Sequence, residues 1–337
     1  MPDFNLQHWL PETNPTPPPS PILHSKTLAP PHTCRYPNPM NRRQALETLP
    51  AITLAGCATL ADRETGWIDA HSHVWTRDIL SFPLASGRTL NDLAPPSFTA
   101  EDLIKLGHTE GVTRHVIISH QRYHGFSNDY YLHAAETHPG TFAIVGALDP
   151  SLPGIPQRMH ANRARHITGY RIKPNGNPRW LEHPGLRQMW RTGAEANIAM
   201  CPLINPEHIA GLDPMCANFL DTPVVIDHCA RIDQQHTEEL DTLCRLARHP
   251  NVHVKISAFY AFGARKPPYL EQLPRIQRLL EAYGSSRLMW ASDCPYQLNE
   301  PNNYTTSISL VRDQLQGITP ADRENLLRNT ARKIFFK

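Results

Sequence analysis

Two histidines one residue apart close the run Trp67-Ile68-Asp69-Ala70-His71-Ser72-His73. In an extended chain, alternate side chains point to the same side. His71 and His73 therefore reach one point from the end of one strand. Two imidazoles aimed together suit a metal ion or a polarised carbonyl. The chain holds 19 histidines, so this pair by itself stands level with coincidence. It gains weight if other chemically able residues gather at the same place, and that depends on the elements that carry them.

From Trp67 onward, short apolar or β-branched runs alternate with helical patterns. Strands are expected at 67–71, 115–119, 142–148, 169–172, 198–203, 224–228, 252–257 and 288–293. Helices are expected between them. Thr99-Ala100-Glu101-Asp102 opens one with a cap and early acids. Pro139-Gly140 stops the one that starts near Asn128, and residues 320–335 form a closing helix. Eight strands, each followed by a helix, over residues 67–337 predict a (β/α)8 TIM barrel. Several strand runs are apolar on both faces, as strands inside a ring of helices are. No GxGxxG follows a strand, which leaves an open dinucleotide-binding sheet without support.

Such a barrel presents its chemistry at the C-terminal strand ends. Those ends carry His71 and His73 on the first strand, and Ser119-His120-Gln121-Arg122-Tyr123-His124 on the second. Arg171 and Lys173 end the fourth, Cys201 the fifth, and Asp227-His228-Cys229-Ala230-Arg231 the sixth. Lys255-Ile256-Ser257 ends the seventh and Ala291-Ser292-Asp293-Cys294-Pro295 the eighth. A HxH after strand one, a His after strand six and an Asp after strand eight resemble the amidohydrolase superfamily. Ile226-Asp227-His228, Val254-Lys255-Ile256-Ser257 and Ala291-Ser292-Asp293-Cys294-Pro295 look like its amidohydrolase-related branch. That branch includes pyrone-dicarboxylate lactonase, sugar-acid lactonases and aminocarboxymuconate-semialdehyde decarboxylase. The resemblance covers roughly Trp67 to the C-terminus.

One departure bears on the metal. Metal-dependent members usually carry a further His after strand five, where this chain reads Met200-Cys201-Pro202-Leu203. Cys201 is read here as a packed core cysteine, with a thiolate ligand as the alternative. Lys173 follows the strand on which binuclear members carry a carboxylated lysine, but without the strand-five His a two-metal site is disfavoured. The pattern is closer to the lactonases, some of which work without a bound metal.

Opening a lactone requires an activated water and stabilisation of charge on the carbonyl oxygen. Asp293 is the candidate base, with His71, His73 and His228 as donors around the carbonyl. If one divalent metal is bound, the same four residues hold it; zinc would lower the pKa of its water to about 7. Arg122, Arg171, Lys173, Arg231 and Lys255 fall at the expected rim. Arginine suits bidentate carboxylate recognition, so the substrate is expected to be a small anion such as a carboxylate-bearing or sugar-acid lactone. Tyr123, Asn128 and Tyr260 are candidates for neutral hydrogen bonds, and Lys255 has a second reading as a structural partner of Asp227 or Asp293. The rivals are a metal-dependent decarboxylase of an unsaturated or aromatic acid, and a non-catalytic barrel that binds a small acid.

Composition bounds the rest. A net charge of +2 offers no strong field for nucleic acid or acidic membranes. No apolar stretch is long enough for a spanning helix, and the 7 cysteines form no CxxC pair. Residues 1–39 are proline-rich and expected to be disordered, with Met40 as an alternative start. Residues 40–57 resemble a bacterial export signal: Arg42-Arg43, then Ala51-Ile52-Thr53-Leu54, then Leu54-Ala55-Gly56-Cys57. Cys57 would then carry a lipid anchor on a periplasmic lipoprotein. A cytoplasmic leader is the alternative, and the sequence is silent on oligomeric state.

Overall fold

The computed structural model describes residues 65–233 and 237–337. The expectations for residues 1–57, including export and lipidation at Cys57, lie outside the described residues. Among the described residues no helix is long and apolar enough to cross a membrane.

Eight parallel strands pair in chain order. They are β1 (Trp67–Ser72), β2 (Val112–Ile118), β3 (Phe142–Gly146), β4 (Ile167–Ile172), β5 (Ala199–Pro202), β6 (Val224–Ile226), β7 (Val252–Ile256) and β8 (Leu288–Trp290). The ring closes where the first strand meets the chain just past the last. Ser72 bridges Cys294, the Asp293 amide donates to the His71 carbonyl at 2.8 Å, and the His73 amide donates to the Cys294 carbonyl at 2.7 Å. Helices separate the strands, which gives the TIM barrel expected from the sequence. The first expected helix runs Ala100–His108, and the Thr99 and Asp102 side chains cap each other's backbone amides.

The period-2 alternation of the strands builds the interior. Ile68 and Ala70 of β1, Val116 and Ile118 of β2, and Ala143 and Val145 of β3 share one apolar cluster. Ala199, Cys201, Val225 and Met289 continue it, and Ile334 and Phe335 of the closing helix pack against it. That helix, expected as one piece over 320–335, contains a wider π turn at Asn325–Asn329. Register slips between Asp69 and Ser72, where β1 uses one more residue than β2. Such a bulge resets the alternation of side chains. His71 consequently follows Ala70 to the interior, while Asp69 turns to the seam between β1 and β8. There its carboxylate accepts from the Ser292 amide at 2.9 Å, the Ser72 hydroxyl at 2.7 Å and the Tyr304 hydroxyl at 3.1 Å.

Strands β6 and β8 end sooner than expected. Beyond β6 the chain winds into a left-handed turn, with φ of 52° at His228, 49° at Cys229, 53° at Ala230 and 57° at Arg231. Asp293, beyond β8, also sits at φ 63°. Left-handed backbone costs an L-residue about 1–2 kcal/mol. Its presence at these two strand ends marks where the chain leaves the sheet.

The outer face of β2 buries His115, and neither ring nitrogen has a hydrogen bond among the described residues. Burial, with His108 nearby, pulls its pKa down to about 3. The folded value lies below the unfolded value of about 6.5. The unfolded chain therefore binds the proton first, and stability is lost as pH falls from about 6.5 toward 3. His115→Leu should flatten this acid limb by up to about 1.4 kcal/mol per pH unit. Urea unfolding at several pH values tests it; wild type and variant losing stability in parallel would refute it.

Candidate active site

Beneath the mouth of the barrel lies a buried ionic group from three strand ends. Lys255 Nζ is 3.0 Å from Asp227 Oδ1, and Arg171 Nη2 is 3.3 Å from Asp227 Oδ2. Burial pushes the Asp227 pKa up, but Lys255, His71 and Arg171 outweigh it and hold the carboxyl well below the usual range. His71 Nδ1 lies 3.2 Å from the same Asp227 Oδ1. Lys255 Nζ is equally close to this nitrogen, at 3.2 Å, so the other nitrogen decides the tautomer. Nε2 faces a guanidinium that only donates, and therefore presents the lone pair while Nδ1 carries the hydrogen. Arg171 Nη2 donates to that lone pair over 2.9 Å. Burial and the nearby Lys255 pull the His71 pKa well down, which keeps the ring neutral.

His73 is fixed in the same sense. Its Nδ1–H donates to the Ile118 carbonyl at 3.0 Å, so Nε2 is again an acceptor in the neutral ring. Asp293 Oδ1 lies 3.3 Å from His73 Nε2 and 3.5 Å from His71 Nε2, and the two ring nitrogens are 3.3 Å apart. Three buried acceptors face one another, and Asp293 Oδ1 has no sound hydrogen bond among the described residues. Acceptors in this arrangement need a cation or a donated hydrogen between them. Zinc bonds of about 2.0–2.1 Å in a tetrahedron set the donors about 3.4 Å apart. The triangle therefore fits one divalent ion, which His71, His73 and Asp293 would hold.

His228 stands on the other side of the carboxylate. Its Nε2 is 3.8 Å from Asp293 Oδ2 and its Nδ1 is 2.8 Å from the Ser257 hydroxyl. The four expected ligands are thus grouped as three plus one. Burial pulls the His228 pKa down to about 4 despite the attraction of Asp293. Asp293 Oδ2 accepts from the Tyr260 hydroxyl at 2.6 Å. Burial alone would raise the Asp293 pKa, but attraction to His228, and to His73 and His71 whenever they carry a proton toward it, holds it well below the carboxylate range.

The expected rim cations divide. Lys255 is fully buried, one layer below the mouth and over the Phe335 ring, so its reading as a partner of Asp227 holds and its reading as a rim cation does not. Arg171 also points inward. Arg231 is half-buried, donates to Asn205 Oδ1 at 3.2 Å, and has its pKa pulled down to about 10 by burial and by Arg171. Arg122 and Lys173 are half-buried just past β2 and β4. Tyr123 is buried; its ring stacks 4.3 Å from His120 and its hydroxyl accepts the Ala94 amide. Asn128 is committed to the Ala147 backbone at both ends of its amide. Cys201 is a buried thiol with its pKa raised to about 12 by burial, in keeping with a core cysteine.

Two further residues belong to the site without having been assigned a role from the sequence. His120 Nε2 meets the Tyr296 hydroxyl at 2.6 Å, and the His120 ring lies 4.9 Å from His73. Together they wall one side of the triangle. His120 stood at a strand end and was visible as a candidate; Tyr296 carried no signal beyond following Cys294-Pro295.

Comparison with known proteins identifies the family and relatives that share the fold. An amidohydrolase family model matches residues 68–337. The L-fucono-1,5-lactonase of Burkholderia ambifaria is 28% identical over 238 residues, covering 68% of this chain and 80% of the relative. Two crystal structures share the fold. One is a probable 2-pyrone-4,6-dicarboxylic acid hydrolase from Acinetobacter baumannii with citric acid bound: TM-score 0.68, 20% identity, 81% of this chain and 100% of that one. The other is an amidohydrolase from Burkholderia multivorans with zinc bound: TM-score 0.67, 20% identity, 81% of this chain and 99% of that one. The family match spans the whole barrel and every residue of the acceptor triangle, and so the chain belongs to the amidohydrolase family of hydrolases.

Proposed function

We propose that this protein opens the ring of a small anionic lactone, with Asp293 as the base that activates water. The observation that carries this reading is the buried Asp293 Oδ1, facing two imidazole lone pairs with its other oxygen fixed by Tyr260. A water placed there donates to Asp293 Oδ1 and His73 Nε2, which leaves its oxygen lone pair free to attack. As the new C–O bond forms, the proton passes to Asp293. The tetrahedral intermediate then collapses, the ring C–O bond breaks, and Asp293 returns the proton to the leaving oxygen. His228, with Nδ1 on Ser257, is placed to donate from Nε2 to the carbonyl oxygen as negative charge develops. Bound at His71, His73 and Asp293, a zinc ion would supply a more acidic water.

The substrate's charge follows from the cations. Burial and the nearby Arg171 pull the Arg231 pKa down, and an incoming carboxylate paired with the Arg231 guanidinium relieves that repulsion. The lactonase relative and the citrate-bound neighbour support the same class. A panel of sugar-acid and dicarboxylate lactones, followed by acid release in a pH-stat with and without chelator, tests the proposal. Ring opening of at least one anionic lactone is expected. No acid release, with carbon dioxide evolved instead from an unsaturated or aromatic acid and stopped by chelator, would replace it with a decarboxylase.

A further inference from the structure

We propose that Arg171 is a resident cation that competes with a divalent metal ion for His71, and so sets how strongly this site takes up metal. His71 Nε2 is the acceptor nitrogen of the neutral ring and has one lone pair, since the guanidinium facing it can only donate, while Nδ1 lies 3.2 Å from both Asp227 Oδ1 and Lys255 Nζ. The Arg171 guanidinium already uses that lone pair at 2.9 Å. An ion bound through the same nitrogen must displace this hydrogen bond. The guanidinium is also held in place: Nη2 lies 3.3 Å from Asp227 Oδ2, and the side chain is 7% exposed. A fixed positive charge beside the triangle repels an incoming divalent ion in a site with little water to screen it. His73 Nε2 and Asp293 Oδ1 have no such occupant. An arriving ion thus meets two ready donors and one that is taken. The inference rests on the donor triangle and not on the lactone reading.

Zinc affinity of the metal-stripped full chain, measured by competition with a chromophoric chelator, tests it. Arg171→Met should bind zinc at least tenfold more tightly than wild type, because Asp227 keeps Lys255 as its partner and His71 is released. Equal affinity, weaker affinity, or no zinc binding by either protein would overturn the proposal. A thermal melt checks that the variant folds. Should it not, a zinc-soaked crystal of the wild type decides: zinc on His71 must leave Arg171 beyond hydrogen-bond distance of Nε2, and zinc on His71 with Arg171 unmoved overturns the proposal. Lactone turnover does not enter either readout, so failure of the substrate assignment and failure of this inference are separable.

Discussion

Asp293→Asn should lower kcat on the best lactone by about 10³-fold, within the range of about 10²–10⁴ that a positioned base contributes. The substitution keeps the shape and the oxygen that meets Tyr260. It removes the ability to take a proton from water. Binding of the ring-opened acid, followed by calorimetry, should stay within a few-fold, because the arginines that attract it are untouched. A variant retaining more than a tenth of wild-type turnover would mean that another group activates water. Binding of the acid left unchanged by the substitution, with no lactone turnover in either protein, would point to the rival reading, a barrel that only holds a small acid.

Lys255→Met should destabilise the fold by about 3–5 kcal/mol, the usual effect of removing one partner of a buried ion pair. Lys255 is fully buried, and Asp227 would keep its charge with only Arg171 and His71 as partners. Denaturant unfolding measures this directly. The double variant Lys255→Met/Asp227→Asn should recover a large part of the loss, since no uncompensated carboxylate then remains. A double variant as unstable as the sum of the two singles would show that packing, not charge, is what Lys255 supplies.

The barrel was legible because its signal is repeated. Each strand reads as a short apolar run between turn residues, and eight of them in alternation with helices leave few other architectures. The HxH pair and the eighth-strand carboxylate were legible for the same reason, since strand ends can be counted. What was not legible is depth and backbone hand. Lys255 and Arg171 each sit one residue before the end of their strand, and periodicity alone does not say that this places them under the mouth instead of at it. The strand ends at Asp227 and Asp293 were overrun because the left-handed backbone there falls on His, Cys, Ala, Arg and Asp, with no glycine to announce it. The bulge in β1 was also silent, and it is what turns His71 inward. His120 and Tyr296 meet across the barrel from residues 176 apart in sequence, a proximity no local pattern encodes.

The seam fastened by Asp69 and Ser292 has a bearing on biosynthesis. The imidazole pair belongs to the first stave of the barrel and the acid that completes it follows the last. A nascent chain on the ribosome therefore carries the histidines through most of translation with nothing to act with them. The group of His71, His73 and Asp293 therefore forms only once the first and last staves are joined.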